Sequence, residues 1–416
     1  ARIDRWLLIA LVLFAVLVRA PVASRNTRAL RADVDNYREF AINLREHGTF
    51  GPDGGEPSAY RPVLYPLLLA TLTYEYHAFN LAGLVALHVG LGLATVWFTA
   101  LVGGRWGLGR WRFAAGALAA CDPILLRQST LVMSETLATF LAALALLALT
   151  LLLERPNLLR ALAAGTSLGL AVLCRPTFAV WAATIPPALV WLLPRDARRV
   201  STVAAVIFAA SITVAPWAIR NWIQFGRPII TTTHGGHTLA LANNSWFYEH
   251  LRSAPDEPWD AAEFNHLALD LRHHHTSAAE LEDNREGHQI AWEAIHDDPF
   301  MFLRACVYRE SRLWGVLPLA LPGQSAREGR ERYMVAAFYV AEFFLALVGL
   351  YQLGRKMFTR AWLFGLLLAG SFTLVHAVYW TDMRMRAPVM PAVALAAAAG
   401  AAWLTGRIGD MLARRN

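Results

Sequence analysis

Lysine is almost missing from this 416-residue chain: Lys356 stands alone, and every other cationic side chain of the Lys/Arg class is arginine. Charge of either sign is sparse. Asp, Glu, Lys and Arg together make up 17% of residues against 56% hydrophobic ones, whereas a soluble chain carries about a quarter charged residues. An ordinary soluble domain is therefore excluded, and an integral membrane protein is the class that fits. No basic run with interleaved aromatics accompanies the formal charge of +7, so no nucleic-acid partner is expected. The three cysteines (Cys121, Cys174 and Cys306) lie in or beside apolar stretches at no metal-binding or disulfide spacing, and read as inert thiols. Internal repeats are lacking, and the alanine-rich final segment is the one low-complexity tract. Inverted-repeat transporter symmetry thus has no support.

What the chain has in abundance is apolar helix-length sequence. A bilayer core takes about 20 apolar residues in helix. Ten candidate spans cover 6–22, 80–102, 112–127, 131–153, 159–173, 177–193, 200–220, 333–353, 361–380 and 387–405. Residues 62–78 form an eleventh apolar stretch. Two prolines at its start and Tyr74-Glu75-Tyr76-His77 at its end favour an interfacial helix. The first stretch, behind Arg2 and Arg5, lacks a small-residue cleavage site and reads as an uncleaved helix.

Orientation follows from the arginines. With the N-terminus in the cytoplasm, Arg105, Arg110 and Arg112 fall inside, as do Arg155, Arg160, Arg195, Arg198, Arg199, Arg355, Lys356, Arg360 and Arg407. The expected fold is an all-α polytopic membrane protein of about ten to eleven transmembrane helices. Residues 1–416 are read as one membrane domain in the cytoplasmic (inner) membrane, with both termini cytoplasmic. Two segments then face outward, 24–79 and 223–332. Helical spacing recurs over Asp260–Leu271 and Glu280–His296, and Pro299–Leu317 is amphipathic enough to lie on the membrane.

Chemistry-bearing residues collect on the outward side. Asp33 and Tyr37 are four apart and would share a face of a helix running Val34–His47, with Asp35 and Glu39 pointing elsewhere. An acidic residue beside apolar surface can be tuned as a base; equally, it can be a solvated turn that caps the helix. Glu135, after Ser134, stands at the edge of an apolar helix, where a carboxylate is either functional or a helix-start residue. Arg61, Arg127, Arg175, Arg220, Arg384 and Arg386 all sit at outward span ends, where the positive-inside tendency gives no reason for them. Guanidinium suits phosphate through its planar fork, and a phosphate at a membrane face belongs to a lipid. His234 and His237, before Asn243-Asn244, lie in a glycine-containing loop with close backbone approach to something; metal ligation by the pair is an alternative reading. His273-His274-His275 reads as solvated surface.

This ordered set resembles the GT-C superfamily of glycosyltransferases, in its polyprenyl-phosphate-sugar-dependent branch. Protein mannosyltransferases and the transferases that add aminoarabinose to lipid A belong to that branch. The resemblance is carried by Asp33-x-x-x-Tyr37, Gly48-x-Phe50, Arg61-Pro62-Val63-Leu64-Tyr65-Pro66, Ser134-Glu135, Arg175-Pro176, Pro216-Trp217-x-x-Arg220-Asn221 and Arg386-x-Pro388. It implies that Asp33 is the catalytic aspartate and that Arg61 holds the lipid phosphate, with Arg220, Arg386, Arg175 and Arg384 as further phosphate-binding candidates. Glu135 would assist catalysis. Tyr37, Tyr60, Asn221, His234, His237, Asn243 and Asn244 are the substrate-binding candidates. In the aminoarabinose transferases an acidic metal ligand precedes the basic residue. Tyr60 stands there in this chain, so a divalent metal and no cofactor at all both stay open. The outward segment 223–332 is also shorter than the acceptor-recognition domains of larger relatives.

The implied activity is an inverting transfer of a sugar from a polyprenyl-phosphate donor to a hydroxyl of a lipid, glycan or protein acceptor, at the outer membrane face. Two alternatives stand beside it: a transporter or flippase of an anionic lipid, and an outer-face ligase or polymerase of lipid-linked glycans.

Overall fold

The computed structural model describes residues 2–25, 29–52, 56–74, 79–196, 198–254, 257, 259, 264, 277–319 and 326–413. Among the described residues the backbone is helical, with no strand beyond an isolated bridge between Thr73 and Phe79. The first helix is α1 (Arg2–Arg25). Two short helices follow, α2 (Tyr37–His47) and α3 (Leu64–Ala70), before the long α4 (Leu81–Arg105). Next come α5 (Arg112–Cys121), α6 (Pro123–Gln128), α7 (Glu135–Glu154), α8 (Leu158–Cys174), α9 (Phe178–Leu192) and α10 (Arg198–Phe225). The later polar segment holds α11 (Gly235–Ala242), α12 (Ser245–Ser253), α13 (Ser277–Asp297) and α14 (Pro299–Leu313). The chain closes with α15 (Ala326–Leu353), α16 (Lys356–Thr359), α17 (Trp362–Val378) and α18 (Met390–Ala413).

Among the described residues six stretches are long and apolar enough to cross a membrane: Asp4–Ser24, Leu81–Arg105, Glu135–Glu154, Arg198–Phe225, Glu328–Leu353 and Met383–Arg407. The apolar helices α8, α9 and α17 are shorter. The protein is an all-helical polytopic membrane protein. Expected span 112–127 does not form as one helix. Pro123 lacks a backbone donor and disfavours helical geometry at the residue before it, so the chain breaks at Asp122 (φ −56°, ψ 121°). The Asp122 carboxylate caps α6 by accepting from Leu125 N at 2.9 Å, and it also accepts from the Tyr339 hydroxyl at 3.0 Å. Of the expected stretch 62–78, the described residues 62–74 hold only the short α3. Of the later polar segment, Glu280–His296 is helical as expected, within α13, and Pro299–Leu317 gives α14. The expected helix over Asp260–Leu271 and the run His273–His275 lie outside the described residues, Phe264 apart.

Two ends of the bundle differ in chemistry. Helix α7 runs from Glu135 to Glu154, about 28 Å at 1.5 Å per residue. At the Glu154 end, Arg105 pairs with Glu154 and Trp106 donates to Thr150 Oγ1 at 2.9 Å. There Trp106 also packs on Trp362, with ring centroids 4.6 Å apart, and Trp191 donates to the Phe358 carbonyl. At the Glu135 end lie the polar elements α2, α11 and α13. Between the ends, small residues let backbones approach closely, as in membrane helix pairs generally. A Cβ at Gly349 would strike the Ala396 carbonyl and one at Gly400 the Leu345 carbonyl, so α15 and α18 meet backbone to backbone. Aromatic rings fill the α9–α17 contact: Phe178 meets Phe372 edge-on at 5.1 Å, and Trp181 donates to the Phe364 carbonyl at 3.1 Å.

Candidate functional site

A cavity of about 660 Å³ opens at the Glu135 end, within the size range of small-molecule sites. Four parts of the chain supply its polar lining: Asp35 and Tyr37 before and at the start of α2, Tyr60 and Arg61 ahead of α3, Glu135 and Arg175 at the ends of α7 and α8, and Arg384 ahead of α18. The loop into α11 adds His234 and His237, and α17 adds His376.

Helix α13 holds two of these parts in register. Glu280 Oε1 accepts from Ala59 N at 2.9 Å and from the Thr233 hydroxyl, and Thr233 N donates to the Ala59 carbonyl at 3.0 Å. One buried carboxylate thus ties the Arg61 loop to the histidine loop. Asn284 Oδ1 takes the Gly236 N–H at 2.8 Å and fixes the start of α11.

Arg61 lies 3.4 Å from Asp35 and against the rings of Tyr37 and Tyr60, its guanidinium carbon 5.5 Å and 5.1 Å from their centroids. Glu135, 3% exposed, lies 3.2 Å from Arg175 and 3.8 Å from Arg384. It occupies the first turn of α7, where the helix dipole favours negative charge. Asp382 braces Arg384 from the other side, at 3.1 Å. Three guanidinium groups therefore converge on one cavity, each held by a carboxylate rather than consumed by the backbone.

The two histidines stack at 5.1 Å, and Tyr60 packs edge-on to His234 at 4.4 Å. Burial, then the charge of Arg61, holds the His237 imidazole down to about 4. Burial, Arg61 and the neighbouring ring together hold His234 well below the usual histidine value. Burial pushes the Tyr60 phenol up to about 12 against the pull of Arg61.

Asp33 is placed differently from Asp35. The helix expected from Val34 begins at Tyr37, because Asn36 takes left-handed geometry (φ 58°, ψ 20°) and turns the chain. Asp33 therefore shares no helical face with Tyr37. Its Oδ2 accepts from Arg38 N at 2.9 Å and Glu39 N at 3.0 Å, capping α2, while Oδ1 is buried with no hydrogen-bond partner among the described residues. Burial raises this carboxyl above its usual range, and the two amides oppose the rise. Asp33 is not among the residues that line the cavity; Asp35 is.

Five further candidates are engaged elsewhere. Arg220 donates to the Ser58 and Phe50 carbonyls at 2.8 and 3.1 Å and lies over Trp217, 5.0 Å from its centroid. It borders a separate groove of about 510 Å³. Arg386, fully buried, donates to the Leu313 and Gly315 carbonyls at 2.8 and 2.6 Å and lies 4.3 Å over the Tyr339 ring. Asn221 donates to the Ile229 carbonyl at 2.8 Å and accepts from Arg220. Asn243 joins α11 to α17 through the Val378 carbonyl at 2.9 Å, and Asn244 caps α12 by accepting from Phe247 N at 2.7 Å. None of these five side chains is among the residues that line the cavity. Asp35, His376 and the bracing Asp382 are the site residues that sequence reasoning missed. Proximity to Arg61 in the same segment was the available signal for Asp35.

Among the described residues no group of three or more His, Cys, Asp or Glu side chains is placed to hold a metal ion. The cavity carboxylates Asp35 and Glu135 each face guanidinium instead, so the residues present do not fit a metal centre.

No protein-family model and no curated protein matches the chain. Solved structures do. The archaeal oligosaccharyltransferase AglB from Archaeoglobus fulgidus, in complex with an inhibitory peptide and a dolichol-phosphate, is similar over 99% of this chain at 14% identity and a TM-score of 0.54. The apo form of the Archaeoglobus fulgidus oligosaccharyltransferase gives 0.57, also at 14% identity. ArnT from Cupriavidus metallidurans bound to undecaprenyl phosphate matches 94% of this chain and 77% of its own at 12% identity, with a TM-score of 0.44. The chain spans about half, 51%, of the length of the oligosaccharyltransferase. This chain shares the fold of the membrane part of the Archaeoglobus fulgidus oligosaccharyltransferase that it covers.

Proposed function

We propose that the protein is an inverting glycosyltransferase that moves a sugar from a polyprenyl-phosphate donor to an acceptor hydroxyl, with its cavity at the outer face of the cytoplasmic membrane. The single observation that carries this reading is the juxtaposition of a carboxylate, Asp35, with three convergent guanidinium groups at one end of an apolar bundle. In support, a protein of the same fold binds a dolichol-phosphate.

The acceptor hydroxyl attacks the anomeric carbon as the bond from that carbon to the phosphate oxygen breaks. Asp35 takes the hydroxyl proton, a role worth about 10²–10⁴-fold. The lipid leaves as a phosphate with one more negative charge than the donor. Arg61, Arg175 and Arg384 receive that charge, and fixed positive groups stabilise it without having to reorganise. Glu135 holds Arg175 and Arg384 in place. Neutral His234 and His237, with Tyr60, form the wall against which the sugar ring or acceptor rests, and the shared cavity supplies the proximity of the two substrates. Asp35 takes the base role in preference to Asp33 because its side chain lines the cavity.

The test compares two variants in a transfer assay with a radiolabelled polyprenyl-phosphate sugar, alongside thermal melting in detergent. Asp35→Asn should lose about 10²–10⁴-fold in rate with little change in melting temperature. Asp33→Asn should instead weaken the cap of α2 by about 0.5–2 kcal/mol and keep measurable transfer. Full activity in Asp35→Asn would remove the mechanism; loss of all activity in folded Asp33→Asn alone would return the base role to Asp33.

A further inference from the structure

A second polar-to-apolar seam lies at the other end of the bundle, remote from the candidate site. Two cavities there share Trp106 and Trp362 as a common wall: one of about 390 Å³ that contains Lys356 and Arg360, and one of about 270 Å³ lined by apolar side chains of α15, α17 and α18. Along α15 the seam runs from Phe343 to Leu353, about 15 Å at 1.5 Å per residue. That is about half of the hydrocarbon core, which is about 30 Å thick.

The seam carries two cations of its own. Nearby Arg105 and Arg112 have carboxylate partners in Glu154 and Asp4. Lys356, the one lysine of the chain, and Arg360 are exposed, and their side chains make no ion pair or hydrogen bond with a described residue. The ammonium is a compact point charge suited to phosphate. Trp403 joins Trp106 and Trp362 around the polar cavity, the arrangement of tryptophans at a headgroup boundary. The wall is built in advance: Trp106 is pinned by its bond to Thr150, and a Cβ at Gly365 would come 3.1 Å from its ring. Leu347, which borders the apolar cavity, is 67% exposed, so the seam opens sideways toward lipid.

We propose that this seam binds one anionic phospholipid of the leaflet opposite the candidate site, its phosphate against Lys356 and Arg360 and one acyl chain laid between α15, α17 and α18. Basic pockets between membrane helices recognise lipid headgroups in this way. A free phosphate would leave the apolar half empty. A zwitterionic lipid would bring its own cation to the two protein cations.

Native mass spectrometry of the full chain in detergent tests this, with phosphatidylglycerol and phosphatidylcholine of matched acyl chains. Each cation is expected to favour the anionic lipid about five-fold, so the pair gives a preference of about thirty-fold. Lys356→Glu with Arg360→Glu should abolish that preference, while Ala369→Phe, which fills the apolar half, should lower retention of both lipids. On the unaltered protein, raising ionic strength should erode the preference, which keeps the test valid if a variant misfolds. Equal binding of the two lipids, a preference that survives the double variant, displacement by inorganic phosphate, or a dimer free of lipid would each overturn the proposal.

Discussion

His234 and His237 show how one residue pair can report on the state of the cavity. Both rings are held neutral by burial and by the charge of Arg61, His237 down to about 4 and His234 well below the ordinary value of 6.5. In the unfolded chain they protonate near 6.5. Between pH 6.5 and about 4 the unfolded state therefore binds more protons, and folding stability rises with pH across that window. The stabilisation is present above 6.5 and lost as pH falls. The melting temperature in detergent should drop as pH is lowered from 7 toward 4, and His237→Gln should flatten the drop. An unchanged profile in that variant would mean the ring is already solvated.

The same scale shows what could be read from single residues. Three of the arginines expected on the outward side, Arg61, Arg175 and Arg384, reach the cavity, while Arg220 and Arg386 are spent on backbone carbonyls. Position at a span end does not separate the two sets, because the difference lies in which carbonyls the folded loops present. Asp33 and Asp35 differ for a similar reason: the left-handed turn at Asn36 sends one carboxylate back to cap α2 and leaves the other at the cavity. Hydrophobic spacing carries no sign of that turn.

At the scale of elements, apolar run length reported most spans but not where they break. The run 112–127 reads as one helix because Asp122 is a single polar residue within it; the break comes from Pro123 and the cap Asp122 provides. Closeness of packing was equally hidden, since a glycine in an apolar run looks like any small residue. Gly349 and Gly400 are where α15 and α18 touch by backbone. Gly400→Leu should destabilise the protein by about 1–3 kcal/mol, since overpacking forces the helices apart. Gly370→Ala, where no atom lies within 4 Å of the added Cβ, should be neutral or stabilise by up to about 1 kcal/mol through helix propensity. Thermal melting of the two variants side by side checks the contrast; equal effects would contradict the close approach.

The whole molecule has a polarity that its arginines announce and that its fold gives a physical form. Arg105, Arg110, Arg155, Arg160 and Arg360 gather at the Glu154 end, about 28 Å along α7 from Glu135, while the cavity and α11 to α13 gather at the other. The positive-inside tendency turns that asymmetry into an orientation. The Glu154 end should face the cytoplasm, and the cavity should open outward, where a lipid-borne donor presents its sugar. Exposed side chains at each end make this measurable after Cys121, Cys174 and Cys306 are replaced by serine. Glu249→Cys on α12 should react with a membrane-impermeant maleimide in intact spheroplasts. Arg110→Cys, between α4 and α5, should react only after the membrane is opened. The reverse pattern would place the cavity at the cytoplasmic face and end the outward-facing mechanism, because Asp35 and the three guanidinium groups would then meet a donor in the other leaflet.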